Sequence, residues 1–376
     1  MSGGVDSSVA AALLADQGHE VIGLSMQLYD QQEGHVRFGG CCTLDDLHDA
    51  RRAAAAIGIP HYMLNLERQF DERVVSIFVR EYVAGRTPIP CVRCNGDLKF
   101  ATLLERARGL GAEFVATGHY ARVERSQPGG RLRLRRGQDR EKDQSYFLFT
   151  LTQAQLAAAI FPLGWLTKHE VRAYARERKL PVADKPESRD ICFVADGDAA
   201  TFVERRAPDA ARTGVIRDRA GAPLGRHNGV HHFTVGQRKG LGLATGTPLY
   251  VVALDAASNT VTVGPRTALE RTRLTASGMN WTAGAPPAAP LRVTAQIRYR
   301  HEEASARVVA LDGDRAALEF DEPQLAVAPG QAVVFYDDDE VVGGGWIEQD
   351  LTQISPSCSP DTALRPSRPC TPSRPR

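Results

Sequence analysis

Three short stretches of this 376-residue chain carry residue types that could do chemistry. The first is SGGVDSS, Ser2 to Ser8, where Gly3 and Gly4 let the backbone approach a ligand and Ser2, Ser7 and Ser8 offer hydroxyls. A helix expected from Val5 onward would point its positive end at whatever the loop holds, which suits an anion. The loop lacks both the GK[ST] ending of a Walker motif and the GxGxxG of a dinucleotide turn. Asp6 would repel phosphate by itself and is expected to act through a bridging magnesium ion. The second stretch is TPIPCVRCNGDLKF. Its prolines disfavour helix at Thr87 and Ile89, and Asn95 is expected to cap a helix, leaving Cys94 near a positive end that lowers a thiol pKa. With no second Cys-x-x-Cys pair, Cys91 and Cys94 do not suggest a closed zinc knuckle. The third is SRDICFVADGD, where Cys192, taken alone, reads as a packing cysteine.

Alternating elements are expected to hold these residues in place. Val9, Leu13 and Leu14 recur at helical spacing and Gly18 stops the run. EVIGLSMQL reads as a buried strand, and helices are expected over Asp45 to Ile57, Asp71 to Ala84 and Asn95 to Arg108. HYMLNL and AEFVATGHY read as strands, and RLRLRR as a half-exposed one. Thr167 and Glu170 form a capping box ahead of a further helix. This alternation implies an α/β class, a doubly wound parallel sheet whose ligand sites lie beyond the carboxyl ends of the strands, where SGGVDSS, Met26 and Gly118 fall.

After about residue 205 glycines, prolines and short β-branched runs take over, as in PLYVVALD, TVTVG, LRVTAQIRYR and AVVFY, which suggests two small β-rich modules of barrel type. The expected division is 1–204 for the catalytic domain, 205–275 for a central module, 276–348 for a C-terminal barrel and 349–376 for a tail without fixed structure. The 46 basic and 45 acidic residues give a net charge of +1, so a nucleic-acid surface must be local. The seven cysteines are an odd number, which favours reactive or ligating thiols over a disulfide framework. No run is long and apolar enough to span a bilayer and no signal peptide is evident, so a cytoplasmic location away from membranes is expected. His231 and His232 lack a visible third ligand, so no metal site is expected there. His119 suits a place near the nucleotide as well as it suits a structural role.

SGGVDSS resembles the pyrophosphatase loop of enzymes that cleave ATP to AMP and pyrophosphate. Together SGGVDSS, LSMQLYD, TPIPCVRCN, ATGHYARV, KDQSYFL, SRDICFV, FTVGQRKGLG, IRYRHE and GGGWIE closely resemble the tRNA-specific 2-thiouridylase family, over about residues 1 to 348. The resemblance implies that Ser2, Gly3, Gly4, Val5, Asp6, Ser7, Ser8, Met26 and Gly118 line an ATP site. It makes Cys94 the nucleophile and Cys192 the carrier of a persulfide sulfur. It implies that Ile89, Pro90 and Cys91 contact a flipped base, and that Lys142, Asp143, Gln144, Arg298 and Tyr299 contact tRNA. Lys142 beside Tyr146 and Arg298 beside Tyr299 suit phosphate contact with stacking. The implied reaction is 2-thiolation of the wobble uridine, with ATP and Mg2+, ending in a Cys94–Cys192 disulfide. The implied partners are tRNA and a sulfur donor such as a cysteine desulfurase or a relay protein.

Three features depart from the family pattern. A strand normally precedes SGGVDSS, so Met1 is expected to be an internal methionine, with low stability and weak ATP binding as consequences. Many relatives carry aspartate at the position of Cys91; a thiol there could serve as acid or base, or join Cys94 and Cys192 around an iron–sulfur cluster. The tail beyond about Glu348 has no counterpart. The alternative readings are a tRNA-binding module with an inactive ATP site and an ATP-dependent amide-forming ligase.

Overall fold

The computed structural model describes residues 1–29, 44–125, 130–186, 191–194 and 197–349. Cys41, Cys42, Asp190, Asp196, Cys358, Cys370 and the tail from residue 350 lie outside them, and with them the expectation for that tail.

Helix Val5–Asp16 is rich in alanine, so neighbours can approach it closely on most sides, and Val5, Ser8, Val9, Ala10, Ala11, Ala12 and Leu14 are buried. It packs between helices Leu44–Ile57 and Lys168–Glu177, sharing a core with Ala53, Val171 and Ala175. Strand Gly23–Gln27 pairs in parallel with His61–Asn65, and Val115–Ala116 with Ala159–Ile160. Helices make the crossovers, as the α/β doubly wound reading requires. The expected strand AEFVATGHY shrinks to Val115–Ala116, because Thr117 and His119 turn toward each other through a 2.7 Å Oγ1–Nδ1 hydrogen bond.

The hairpin of Ala121–Arg125 and Leu132–Arg136 does not extend the parallel layer. It joins the last six strands in one eight-stranded sheet, through the Arg135–Glu340 register. Leu134, Leu148 and Phe149 therefore share a core with Ala332, Val334, Tyr336 and Val341. Four further strands, Gly214–Arg217, Pro223–His227, Tyr250–Asp255 and Thr260–Gly264, form a separate sheet over Ile216, Phe233, Val251 and Val261. The long strand Glu270–Trp281 was not legible as one. It is polar, and its register shifts twice as it pairs with Ala316–Leu325 and then with Glu340–Ile347. Among the described residues no helix is long and apolar enough to cross a membrane.

The GGGWIE motif has a packing reason. A Cβ on Gly344 would stand 2.7 Å from both the Phe149 ring and the Val333 carbonyl oxygen, and one on Gly343 would stand 2.6 Å from the carbonyl oxygen of Asn280. Strand Glu340–Ile347 thus presses directly on the earlier part of the chain. Gly344→Ala should destabilise the fold by about 1–3 kcal/mol, the usual cost of overpacking a tight core. A lower urea midpoint at unchanged slope would show it.

Candidate nucleotide and thiol site

The loop before helix Val5–Asp16 has the backbone its glycines predict. Gly3 sits at φ +71°, and a Cβ there would lie 2.2 Å from the Asp46 carbonyl oxygen, so only glycine fits. Gly4 is the N-cap and has no side chain to satisfy the first-turn amides, so they keep their capacity for an anion. The hydroxyls brace the turn: Ser7 Oγ accepts from the Ser2 amide at 3.1 Å, and Ser8 Oγ donates to the Gly4 carbonyl at 3.0 Å. Gly118 closes the other side, since a Cβ on it would come within 2.6 Å of the Asp6 carbonyl carbon and 2.7 Å of the Ser7 nitrogen. Ser2 to Ser8 and Gly118 are therefore assembled as one cradle.

Asp6 departs from expectation. Lys168 Nζ lies 2.7 and 2.8 Å from its two carboxylate oxygens, and Tyr120 OH donates to Oδ1 at 2.9 Å. Both Asp6 oxygens are thus engaged by an ammonium group that the sequence did not reveal. Lys168 and Tyr120 escaped the sequence reading, though a signal existed. The expected capping box at Thr167 and Glu170 is present and makes Lys168 the first helical residue. A lysine there opposes the helix dipole and calls for a specific acidic partner. Gln144 extends the brace, because its side-chain oxygen accepts from the Tyr120 amide at 3.1 Å and its own amide donates to the Tyr120 carbonyl at 2.9 Å.

The cysteine segment also differs from expectation. Its helix begins at Pro90, with Ile89 as N-cap, and continues through wider turns over Cys94–Thr102. Proline suits the first helical position because the amide it lacks would be unpaired there. Cys91, not Cys94, thus lies in the first turn, and Asn95 is buried and donates to the Phe147 carbonyl at 3.2 Å instead of capping. Cys91 is exposed, while Cys94 and Cys192 are half-buried. Cys94, Cys192 and Met26 all pack on one apolar cluster that includes Phe70, Phe78, Leu98 and Phe193. Met26 and Leu64, near the carboxyl ends of their strands, border that cluster, so both thiols are drawn to the edge of the sheet where ligands bind.

Among the described residues, one set of three or more histidine, cysteine or acidic side chains brings its ligand atoms together: Glu204, His231 and His232. Cys91, Cys94 and Cys192 are not among them. Glu204 brings a carboxylate beside His231 and His232 that the sequence did not reveal. His119 is buried against Phe100 and Phe161, and burial, with the Lys99 charge as a lesser cause, holds its pKa well below the usual value. Its Nδ1 is hydrogen-bonded to Thr117 Oγ1.

The candidate RNA-contacting residues divide in two. Asp143 is buried and accepts from the Gly137 amide (2.9 Å), the Ser145 hydroxyl (2.8 Å) and Arg136 (3.2 Å), so its carboxylate serves the interior. Tyr146 is likewise core, its hydroxyl donating to the Ala332 carbonyl at 2.9 Å, and offers no stacking face. Lys142 and Tyr299 are half-buried and Arg298 is exposed; Tyr299 packs on Phe147 at 4.4 Å between ring centres. Ile89 and Pro90 line a cleft of about 590 Å³ with Arg93, Ser277 and Trp346, where the Arg93 guanidinium lies 4.7 Å from the Trp346 ring centre. A second cavity of about 640 Å³ lies between the central sheet and the barrel, and none of the loop or thiol residues lines it.

Comparison with known proteins decides what this arrangement belongs to. Residues 1–196 match the family described as the tRNA methyl transferase HUP domain, 200–265 its PRC-barrel domain, and 271–347 an aminomethyltransferase β-barrel domain. The tRNA-specific 2-thiouridylase MnmA of Geotalea uraniireducens is 55% identical over 353 residues, 93% of each chain. The chain belongs to the tRNA-specific 2-thiouridylase family. The proteins of that name from Geobacter metallireducens and Solibacter usitatus are 53% and 52% identical over 94% and 93% of this chain, and 96% and 98% of their own. The HUP domain of this 2-thiouridylase family member coincides with the loop, the parallel strands and the three described cysteines.

Asp143 and Arg136 are each 6% exposed at the side chain. Asp143→Ala should lower unfolding free energy by about 1–3 kcal/mol, because the buried Gly137 amide and Ser145 hydroxyl lose their acceptor while Arg136 keeps Glu303 at 2.6 Å. Denaturant titration reads the loss.

Proposed function

We propose that this chain uses ATP to replace the C2 oxygen of the wobble uridine of tRNA with sulfur, releasing AMP and pyrophosphate. The observations that support it most are an anion cradle at the start of helix Val5–Asp16 and, in the same HUP domain, two thiols that pack on one apolar cluster with Met26 and Leu64. Phosphoryl transfer needs backbone amides and a helix end, which Ser2 to Ser8 supply. Sulfur transfer needs a carrier and a nucleophile, which Cys192 and Cys94 supply.

The C2 oxygen attacks the α-phosphorus of ATP and pyrophosphate leaves, giving an adenylated uridine. Cys192, first loaded as a persulfide by a sulfur donor, then yields its outer sulfur. In one route that sulfur attacks C2, AMP departs with the oxygen, and Cys94 then attacks the Cys192 sulfur of the adduct, expelling the sulfur on C2 as the thiocarbonyl of 2-thiouridine. In the other, Cys94 attacks the Cys192 sulfur first and expels hydrosulfide, which attacks C2. Both routes leave a Cys94–Cys192 disulfide, and a two-electron thiol reductant restores the pair. A magnesium ion, when bound with the nucleotide, would neutralise phosphate charge; Ser2, Ser7 and Ser8 offer oxygens near it, while Asp6 stays with Lys168.

The uridine must leave its stack to reach these groups, which a single-stranded anticodon loop permits at small cost. Ile89 and Pro90, bordering the cleft capped by Trp346, suit an unstacked base, and Lys142 and Arg298 suit the phosphates around it.

Cys94→Ser and Cys192→Ser should each reduce thiolation of unmodified tRNA to background while changing tRNA affinity less than about threefold, since neither thiol carries charge toward phosphate. Mass spectrometry of digested tRNA and filter binding check the two halves. tRNA binding with no AMP formed by the unaltered chain would favour a binding module over an enzyme. Lys168→Met should raise the KM for ATP roughly tenfold, the effect of about 1.4 kcal/mol, because Asp6 then faces phosphate unneutralised. Unchanged kinetics would remove Lys168 from the account.

A further inference from the structure

Glu204, His231 and His232 are not used in the proposed reaction. Glu204 lies on helix Ala199–Arg206, and both histidines lie in the short turn Val230–His232 that follows strand Pro223–His227 of the central module. Their ligand atoms all fall within 4.8 Å of one another. The Nε2 atoms of His231 and His232 aim at the same carboxylate oxygen, Glu204 Oε1, at 3.2 and 2.9 Å. We propose that these three side chains form a site for a divalent transition-metal ion of the zinc type, which clamps helix Ala199–Arg206 to the central module.

Bond lengths of about 2.0–2.2 Å to nitrogen and oxygen place neighbouring ligands of a tetrahedral zinc ion about 3.3 Å apart. Both nitrogen-to-oxygen separations here already lie within a few tenths of an ångström of that value. Two imidazoles and one carboxylate are a donor set suited to zinc rather than to calcium or magnesium, which prefer oxygen alone.

His231 is fully buried at its side chain, and its Nε2 is the ring atom turned to Glu204, so burial fixes the ring in the orientation a ligand needs. His232 is 36% exposed at its side chain, so the fourth position faces solvent and takes water.

The clamp would reach the thiols through packing. Phe202 and Val203, on the same helix as Glu204, belong to the apolar cluster that carries Cys94 and Cys192. An ion at Glu204 would therefore stiffen the support of the sulfur carrier without touching substrate.

The test uses the full chain with its cysteines alkylated by iodoacetamide, so that no thiol can ligate, and stripped with EDTA. Zinc chloride is titrated calorimetrically, and cobalt(II) is used as an absorbing probe. One equivalent should bind, and cobalt should show visible ligand-field bands without thiolate charge transfer. Glu204→Gln, which keeps the size of the side chain, and His232→Ala should each weaken zinc binding more than about 100-fold, since loss of a mere outer partner costs about 10–100-fold. His48→Ala, an exposed histidine elsewhere, should leave it unchanged. Circular dichroism confirms that each variant is folded. Absence of saturable binding, or equal affinity in both ligand variants, would overturn the proposal and leave a hydrogen-bonded carboxylate and imidazole group.

Discussion

A loop proposed to hold triphosphate cannot tolerate a naked carboxylate, and the neutralisation of Asp6 is the constraint around which the N-terminal half is arranged. Lys168 and Tyr120 hold it from two directions. Lys168 comes from a helix capped by Thr167 and Glu170, and Tyr120 is fixed at its backbone by Gln144. Gly118 presses on the same loop from the strand end. One carboxylate thus ties together the loop helix, a later helix and the segment leading to the aromatic core. The close spacing of glycines and serines in Ser2 to Ser8 only makes sense once these distant partners are in place.

The second constraint is apolar. Cys94 and Cys192 stand almost a hundred positions apart in sequence, yet both pack on the cluster built from Phe70, Phe78, Leu98 and Phe193. Edge-to-face contacts of Phe193 with Phe70 at 5.5 Å and with Phe78 at 5.0 Å anchor the short segment that bears Cys192. A sulfur carrier gains from such a seat, because burial shields a persulfide from adventitious thiols until the nucleophile reaches it.

Much of the fold was legible in the sequence, and the failures share a cause. Helices at Leu44–Ile57 and Lys168–Glu177 and strands such as Tyr250–Asp255 and Ala332–Asp337 follow directly from periodicity and capping. Local signals misled where distant contacts decided. Asn95 looked like a cap, but Pro90 starts the helix first and Asn95 turns to Phe147. Asp143 and Tyr146 looked like RNA contacts, but the barrel strands fold back over them, so the one pairs with Arg136 and the other with Ala332. Strand Glu270–Trp281 hid behind its polarity and its register shifts. Glu204 could not be linked to His231 and His232 by spacing, since 27 positions separate Glu204 from His231 and only the packing of helix against turn joins them.

The central claim is that the two half-buried thiols act as a pair on an ATP-activated uridine. Peptide mapping under non-reducing conditions tests it most directly: chain loaded with persulfide performs one round with ATP, magnesium and unmodified tRNA, without reductant, and is then digested. The account predicts a Cys94–Cys192 cross-linked peptide in proportion to thiolated uridine and AMP. Thiolated uridine formed in the same amount, with both cysteines still recovered as thiols, would contradict it.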